Sequence, residues 1–395
     1  MIRVLIADDS AFMRKVLSDL FNKQSDFEVA GTAINGRDAV DKVKKLKPDI
    51  LTLDVNMPVM DGLEALAIIM EECPLPVVMF SSLTQSGTDA TIRALSLGAV
   101  DWVSKAGGPI SKIDPVQDEI LTKCRVAVNA HVGSSKAFSS ARPLTYSPKS
   151  SIIPSSSSEP SRMKRIEVQR RTGFKLGEKP KLRVIPSTTA PIPTVATART
   201  SSAAASKKLV AIGTSTGGPQ ALQAVITRLP GNLPCGVVIV QHMPAGFTKS
   251  LAERLDSISA ISVKEAENEE IIKPGQVYIA PGNYHMRVAP AGGTGKKILL
   301  SQEPPVGNHR PAVNVLFDSV AQFKTDLVSV IMTGMGSDGC EGMKKIKANG
   351  GYSIAQNESS CVVYGMPKAV VEAGLADEVR PLDQIAEAIV DAVSK

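Results

Sequence analysis

Ser215, His242 and Asp338, residues of the kinds that cooperate in nucleophilic hydrolysis, each follow a short apolar run in the second half of the chain. The runs are Lys208–Ile212, Gly236–Val240 and Leu327–Met332. A hydroxyl is a weak nucleophile at neutral pH unless a base takes its proton, and an imidazole does this best when a carboxylate fixes its tautomer. A second set, Asp8, Asp9 and Asp54, gathers carboxylates in the first half. Such a cluster repels itself unless a hard cation sits within it. Mg2+ suits it, accepting a few carboxylate oxygens while keeping waters and phosphate oxygens. Ser81 and Lys105 would add a hydroxyl and an ammonium for the equatorial oxygens of a phosphoryl group taken up by Asp54.

Both sets need a frame that carries distant residues to one rim. In the first half, Ile2–Ala7, Phe27–Gly31, Ile50–Leu53, Pro76–Phe80 and Val100–Val103 read as strands. Between them Ala11–Phe21, Arg37–Leu46, Gly62–Met70 and Thr88–Leu97 show helical spacing. This alternation predicts βαβ units and a five-stranded parallel sheet with helices on both faces. After residue 206 it resumes with strand Lys208–Ile212 and helix Pro219–Leu229, broken by a β-rich stretch, Gly275–Leu300, with a hairpin-like turn at Gly292-Gly293. The expected fold class is α/β: two doubly wound sheets, the second mostly parallel. In such sheets ligands and catalytic groups collect at the carboxyl ends of the strands.

Each signal has a plainer reading. Asp8-Asp9-Ser10 can cap the helix starting near Ala11, and Asp338 can cap a helix over Glu341–Ala348. Gly213-Thr214-Ser215-Thr216-Gly217 fits G-x-S-x-G, a short pattern that also suits a phosphate-binding turn before a helix. A dinucleotide site, however, expects an acid about 20 residues on, at the end of the second strand. Gln241-His242 stands there instead. Pro219 fits a first helical turn, whose positive end would favour an oxyanion at Ser215.

Taken together, Asp8-Asp9-Ser10, Asp54-Val55-Asn56-Met57-Pro58-Val59-Met60-Asp61-Gly62, Ser81-Ser82 and Lys105 resemble the response-regulator receiver signature over residues 1–130. That resemblance implies phosphorylation at Asp54 by a chemotaxis histidine kinase, with Mg2+ held by Asp9, Asp54 and the Asn56 carbonyl, assisted by Asp8. It also implies a switch of Ser81, Lys105 and Trp102, the last being either a rotamer-changing aromatic or a plain core residue. Receivers usually place a cis proline after the lysine; here Ala106 stands in that position. Residues 207–395 are similar to the CheB family of chemotaxis protein-glutamate methylesterases. The likeness is carried by Ile212–Pro219, Val240–Thr248, Ala280–Met286 and Thr333–Gly339. It implies a phosphorylation-activated enzyme that removes methyl groups from chemoreceptor glutamates, releasing methanol, and deamidates receptor glutamines. Ser215 would be nucleophile, His242 base and Asp338 orienter, with Met335 and Thr216 near the oxyanion. His285 and Asn308-His309-Arg310-Pro311 would line the cleft. The esterase step would need no cofactor.

Composition narrows the field further. The chain has 395 residues, 43% hydrophobic, enough for two cores of about 100–200 residues and a connector. No apolar run reaches the ~18 residues of a membrane span, and Ile2–Ala7 leads into acids rather than a signal-peptide cleavage site. Five scattered cysteines suit a reducing cytoplasm better than a disulfide framework. Residues 131–206 read as a flexible basic linker rich in Ser and Pro. Between Ser134 and Ser206 lie 13 Lys and Arg against 3 Glu, a surplus of ten within a chain of net charge +6, so the remainder is net −4. The positive charge therefore argues weakly for DNA binding, and the second half has no compact helix-turn-helix pattern. A receptor-docking role for the linker, or a low effective concentration of the tethered receiver and a leaky basal rate, are further expectations.

Overall fold

The structure, a computed structural model, describes residues 1–82, 84–105, 114–132, 144 and 207–395. Most of the expected linker, and Ala106 after Lys105, lie outside the described residues. The first half forms β1 (Ile2–Ala7), β2 (Phe27–Ala33), β3 (Ile50–Asp54), β4 (Val77–Ser82) and β5 (Asp101–Lys105). They make one parallel sheet in the order β2-β1-β3-β4-β5, as predicted. Helices α1 (Ala11–Asn22), α2 (Gly36–Leu46), α3 (Gly62–Glu72), α4 (Gln85–Leu97) and α5 (Asp114–Val128) connect and flank the strands. All of β3 is buried, as a strand with helices over both faces must be. Ser10 caps α1 through the Met13 N–H, the plainer reading of that serine. Helix α5 went unread in the sequence, where its alternation of acid, apolar and basic residues gave a weaker stripe than its neighbours.

The second half contains β6 (Leu209–Thr214), β7 (Gly236–Gln241), β8 (Ser262–Glu265), β9 (Gln276–Ile279), β10 (His285–Pro290), β11 (Lys296–Ser301), β12 (Leu327–Ile331), β13 (Tyr352–Gln356) and β14 (Glu378–Arg380). Seven strands form an all-parallel sheet, β14-β13-β12-β6-β7-β9-β8. Its helices are α6 (Gly218–Ile226), α7 (Phe247–Ile258), α8 (Val313–Val320), α9 (Cys340–Ala348), α10 (Met366–Glu372) and α11 (Leu382–Ser394). The β-rich interruption is a separate antiparallel hairpin, β10 with β11, turning where Gly292 and Gly293 take positive φ. Strands β6 and β7 are entirely buried, which places their carboxyl ends at the centre of the rim.

The two halves share an apolar contact. One cluster of buried side chains runs from Leu66, Ile92, Leu95 and Trp102 into Leu222, Val225, Phe247 and Leu251, as α4 packs on α6 and α7.

Candidate active site

Ser215 sits in the turn between β6 and α6. Its N–H donates to the Thr333 carbonyl and its own carbonyl accepts from the Gly218 N–H, so the turn is tied on both sides. Gly217 caps α6 at φ 75°, and a Cβ there would lie 2.5 Å from Val362. Glycine is required at 217 for both reasons. Neighbouring β7 ends with Thr214 paired to Gln241, so His242 emerges beside the serine.

The three expected residues meet. Ser215 Oγ lies 3.1 Å from His242 Nδ1, and His242 Nε2 lies 2.8 Å from Asp338 Oδ2. An ionised carboxylate only accepts, so Nε2 carries the proton and Nδ1 presents its lone pair to the hydroxyl. The ring nitrogen nearer the backbone thus faces the serine, because adjacent strand ends leave only a short span between the residues. The outer nitrogen reaches Asp338, which the loop after β12 brings over β6.

Asp338 does not cap α9, whose N-cap is Gly339. Instead it caps α8: Oδ2 accepts the Val313 N–H at 2.6 Å and Oδ1 the Asn314 N–H at 2.9 Å. Burial pushes its pKa up, but the His242 hydrogen bond and charge, with the two backbone N–H groups, outweigh this and leave it below the usual carboxylate range. The acid is therefore held ionised beside the imidazole.

His309 completes the centre, although the sequence marked it only as part of a cleft-lining loop. Its ring stacks on His242, centroids 3.7 Å apart and planes 9° from parallel. Val306 and His309 exchange both backbone hydrogen bonds around Gly307 and Asn308, both at positive φ, the geometry of a type I′ turn. Burial and the neighbouring His242 lower the pKa of His309 to about 4, against a smaller upward pull from Asp338. Its ring is neutral at neutral pH and covers one face of the His242 ring without adding charge.

The expected oxyanion and cleft residues fare unequally. Met335 is 43% exposed on the loop beside Ser215, and Gly334 passes so close that a Cβ would sit 2.8 Å from the Ser215 Cβ. The Thr216 hydroxyl is engaged elsewhere: it donates to Asp101 Oδ2 of the first domain at 2.7 Å. His285 does not line the cleft. Strand register turns it inward, where it is wholly buried and its Nε2 meets the Pro304 carbonyl at 3.1 Å.

That Thr216 contact belongs to the surface between the domains. Ser250 donates to Asp89 Oδ1 at 2.7 Å, and Trp102 stacks on Phe247 with centroids 4.1 Å apart. Trp102 is thus buried in the apolar cluster that the two halves share. It is an interface residue, 6% exposed, with the Lys123 ammonium over its ring.

At the rim of the first sheet, Asp8, Asp9 and Asp54 present ligand oxygens within 4.8 Å of one another. Lys105 Nζ lies 2.6 Å from Asp54 Oδ2 and 2.9 Å from Asp8 Oδ2. Burial raises the Asp54 pKa and Asp8 adds to it, with Lys105 pulling against both. Ser81 Oγ donates to the Gly87 carbonyl at 2.9 Å, and the Asn56 N–H approaches Asp54 Oδ1 at 3.4 Å. Three hard oxygen donors at this spacing fit a divalent cation such as Mg2+.

Two family models match the chain: the response regulator receiver domain over residues 4–112 and CheB methylesterase over residues 210–389. A protein-glutamate methylesterase/protein-glutamine glutaminase of Symbiobacterium thermophilum is 46% identical, over 100% of this chain and 98% of the relative. One from Halalkalibacterium halodurans is 43% identical, over 98% of this chain and 97% of the relative. The chain belongs to the CheB methylesterase family. The crystal structure of the Thermotoga maritima CheB methylesterase catalytic domain is 49% identical, covers 47% of this chain and 97% of that chain, and superposes with a TM-score of 0.46. In this CheB chain a receiver precedes the methylesterase domain. No helix among the described residues is long and apolar enough to cross a membrane.

Proposed function

We propose that this CheB protein is a cytoplasmic enzyme that hydrolyses glutamate methyl esters on chemoreceptors, releasing methanol, and deamidates receptor glutamines. The observation that carries the reading is the unbroken relay from Ser215 Oγ through His242 to Asp338. His242 Nδ1 takes the hydroxyl proton as Oγ attacks the side-chain carbonyl carbon. The oxyanion is supported by the Met335 N–H. The same nitrogen returns the proton to methanol, or to ammonia from a glutamine, as that group leaves. Water then adds to the acyl-enzyme with His242 again as base, restoring Ser215 and freeing glutamate. Asp338 stays ionised and stabilises the imidazolium formed in each step.

The receiver would gate this chemistry through phosphorylation of Asp54 by a histidine kinase. Asp8, Asp9, Asp54 and the Asn56 carbonyl would hold Mg2+, whose charge neutralises an incoming phosphoryl group, while Ser81 and Lys105 bind its oxygens. The two interdomain side-chain hydrogen bonds and the aromatic stack described above, each worth about 1 kcal/mol, contribute about 3 kcal/mol to the closed pair, or about a hundredfold, beside the shared apolar contact. A complete swing from 1:99 to 99:1 needs about 5.5 kcal/mol of differential binding, within reach of a charge-assisted phosphoryl site. A dinucleotide regulator is disfavoured because the Gln241 amide is spent on the carbonyls of Ser215 and His242.

Methanol release from methylated receptor membranes tests the reading, measured with and without a small phosphodonor. Release that rises with the donor and vanishes in Ser215→Ala, while that variant still takes up phosphate, is expected. Release unaffected by Ser215→Ala would overturn the assignment.

A further inference from the structure

Pairing between β6 and β7 stops at Thr214 and Gln241, one residue short of both Ser215 and His242. Beyond it runs a single backbone bond, from the His242 N–H to the Thr214 carbonyl. The Gln241 side chain then extends the ladder. Its Nε2 donates to the Ser215 carbonyl at 3.0 Å and to the His242 carbonyl at 3.1 Å. With the residue only 2% exposed, water does not replace these bonds when they are lost. Gly218 makes the room: a Cβ there would lie 1.9 Å from Gln241 Oε1. That oxygen has no hydrogen-bond partner, so the side chain is anchored by its NH2 end alone.

Resting on the hydrolase reading above, the geometry points to Gln241 as a positioning residue: its amide bridges the backbone of nucleophile and base, and so sets the distance between Ser215 Oγ and His242 Nδ1. The amide touches neither substrate nor the reacting atoms. Its effect falls on the chemical step, because a displacement of about 1 Å between reacting groups lowers rates on the order of 100-fold.

Gln241→Met keeps the length and removes both donors. Gln241→Asn keeps the NH2 but is too short to reach both carbonyls. The full chain is treated with a phosphodonor and then with a fluorophosphonate, which phosphonylates an activated serine with loss of fluoride and needs no receptor. Both variants should label Ser215 about 10- to 100-fold more slowly than wild type, with kcat for ester hydrolysis falling alike and KM within about twofold. Gln241→Glu, whose buried carboxyl stays protonated and donates one bond, should fall between them and wild type. A merely structural role would lower the melting temperature and leave labelling per folded molecule unchanged, and that result overturns the inference. If Gln241→Met does not fold, wild-type labelling by Gln241→Asn overturns it equally. Failure of the wild type itself to label would instead strike the hydrolase reading.

Discussion

Asp54 and Asp338 are both carboxylates at the carboxyl-end rim of a parallel sheet, yet their surroundings push them in opposite directions. Asp54 is buried beside Asp8, and burial and like charge raise its pKa against the pull of Lys105. Asp338 stands as the single acid in a ring of donors: His242 and the first two N–H groups of α8. One pocket holds surplus negative charge and responds to whatever changes that charge. The other is balanced in advance and needs no rearrangement when a proton moves through it. On the proposed reading, a signal-receiving site and a turnover site are built on the same architecture by choosing how many acids share a rim.

The sharpest way to break the comparison is at the balanced site. Asp338→Asn should lower kcat by about 10^4-fold, because an amide no longer enforces the Nε2–H tautomer. Asn keeps one accepting oxygen, so one of the two α8 N–H bonds survives, and the melting temperature should fall less than in the alanine variant. Asp338→Ala should lose the same activity and also the α8 cap, for about 1 kcal/mol of stability, read by thermal unfolding. Equal melting temperatures for the two variants would show that the cap contributes nothing.

The next effect lies between the sites. Removing residues 1–206 should raise the basal esterase rate by about a hundredfold if the closed pair is as stable as its contacts imply. An unchanged rate from a folded fragment would mean that the interface does not limit access. Asp101→Ala, which removes the Thr216 bond across the interface together with the Lys123 ion pair and the Trp102 N–H bond within the first domain, should raise it about fivefold, measured without phosphodonor.

The smallest effect is a pH dependence. Unfolded His309 titrates near 6.5 and the native ring near 4, so within that window the unfolded chain binds a proton the native state does not. Stability should therefore be fully present above about 6.5 and decline as pH falls towards 4. His309→Phe, which keeps a flat ring and removes the titration, should flatten that decline in melting-temperature profiles.

Much of this was legible in residue order, for physical reasons. Parallel strands buried on both faces read as unbroken apolar runs, and the residue after such a run must stand at the rim. That logic located Ser215, His242, Asp338, Asp54 and Lys105. It failed where tertiary packing decides. His285 lies in a run that looked like cleft lining, but hairpin register turns it into the core. Asp338 caps α8 rather than α9 because the loop doubles back, which spacing cannot reveal. The bond between Asp101 and Thr216 joins residues 115 apart in sequence, and neither type marks it. Gln241 was visible only as an acid that was missing.

Trp102 is the single tryptophan of the chain, and its ring lies flat against Phe247 of the other domain. Intrinsic fluorescence excited through the indole therefore arises at one place, the seam itself. Any parting of the domains exchanges a phenyl neighbour for water and should shift the emission to longer wavelength, giving an optical readout of the proposed gate without a dye or a label.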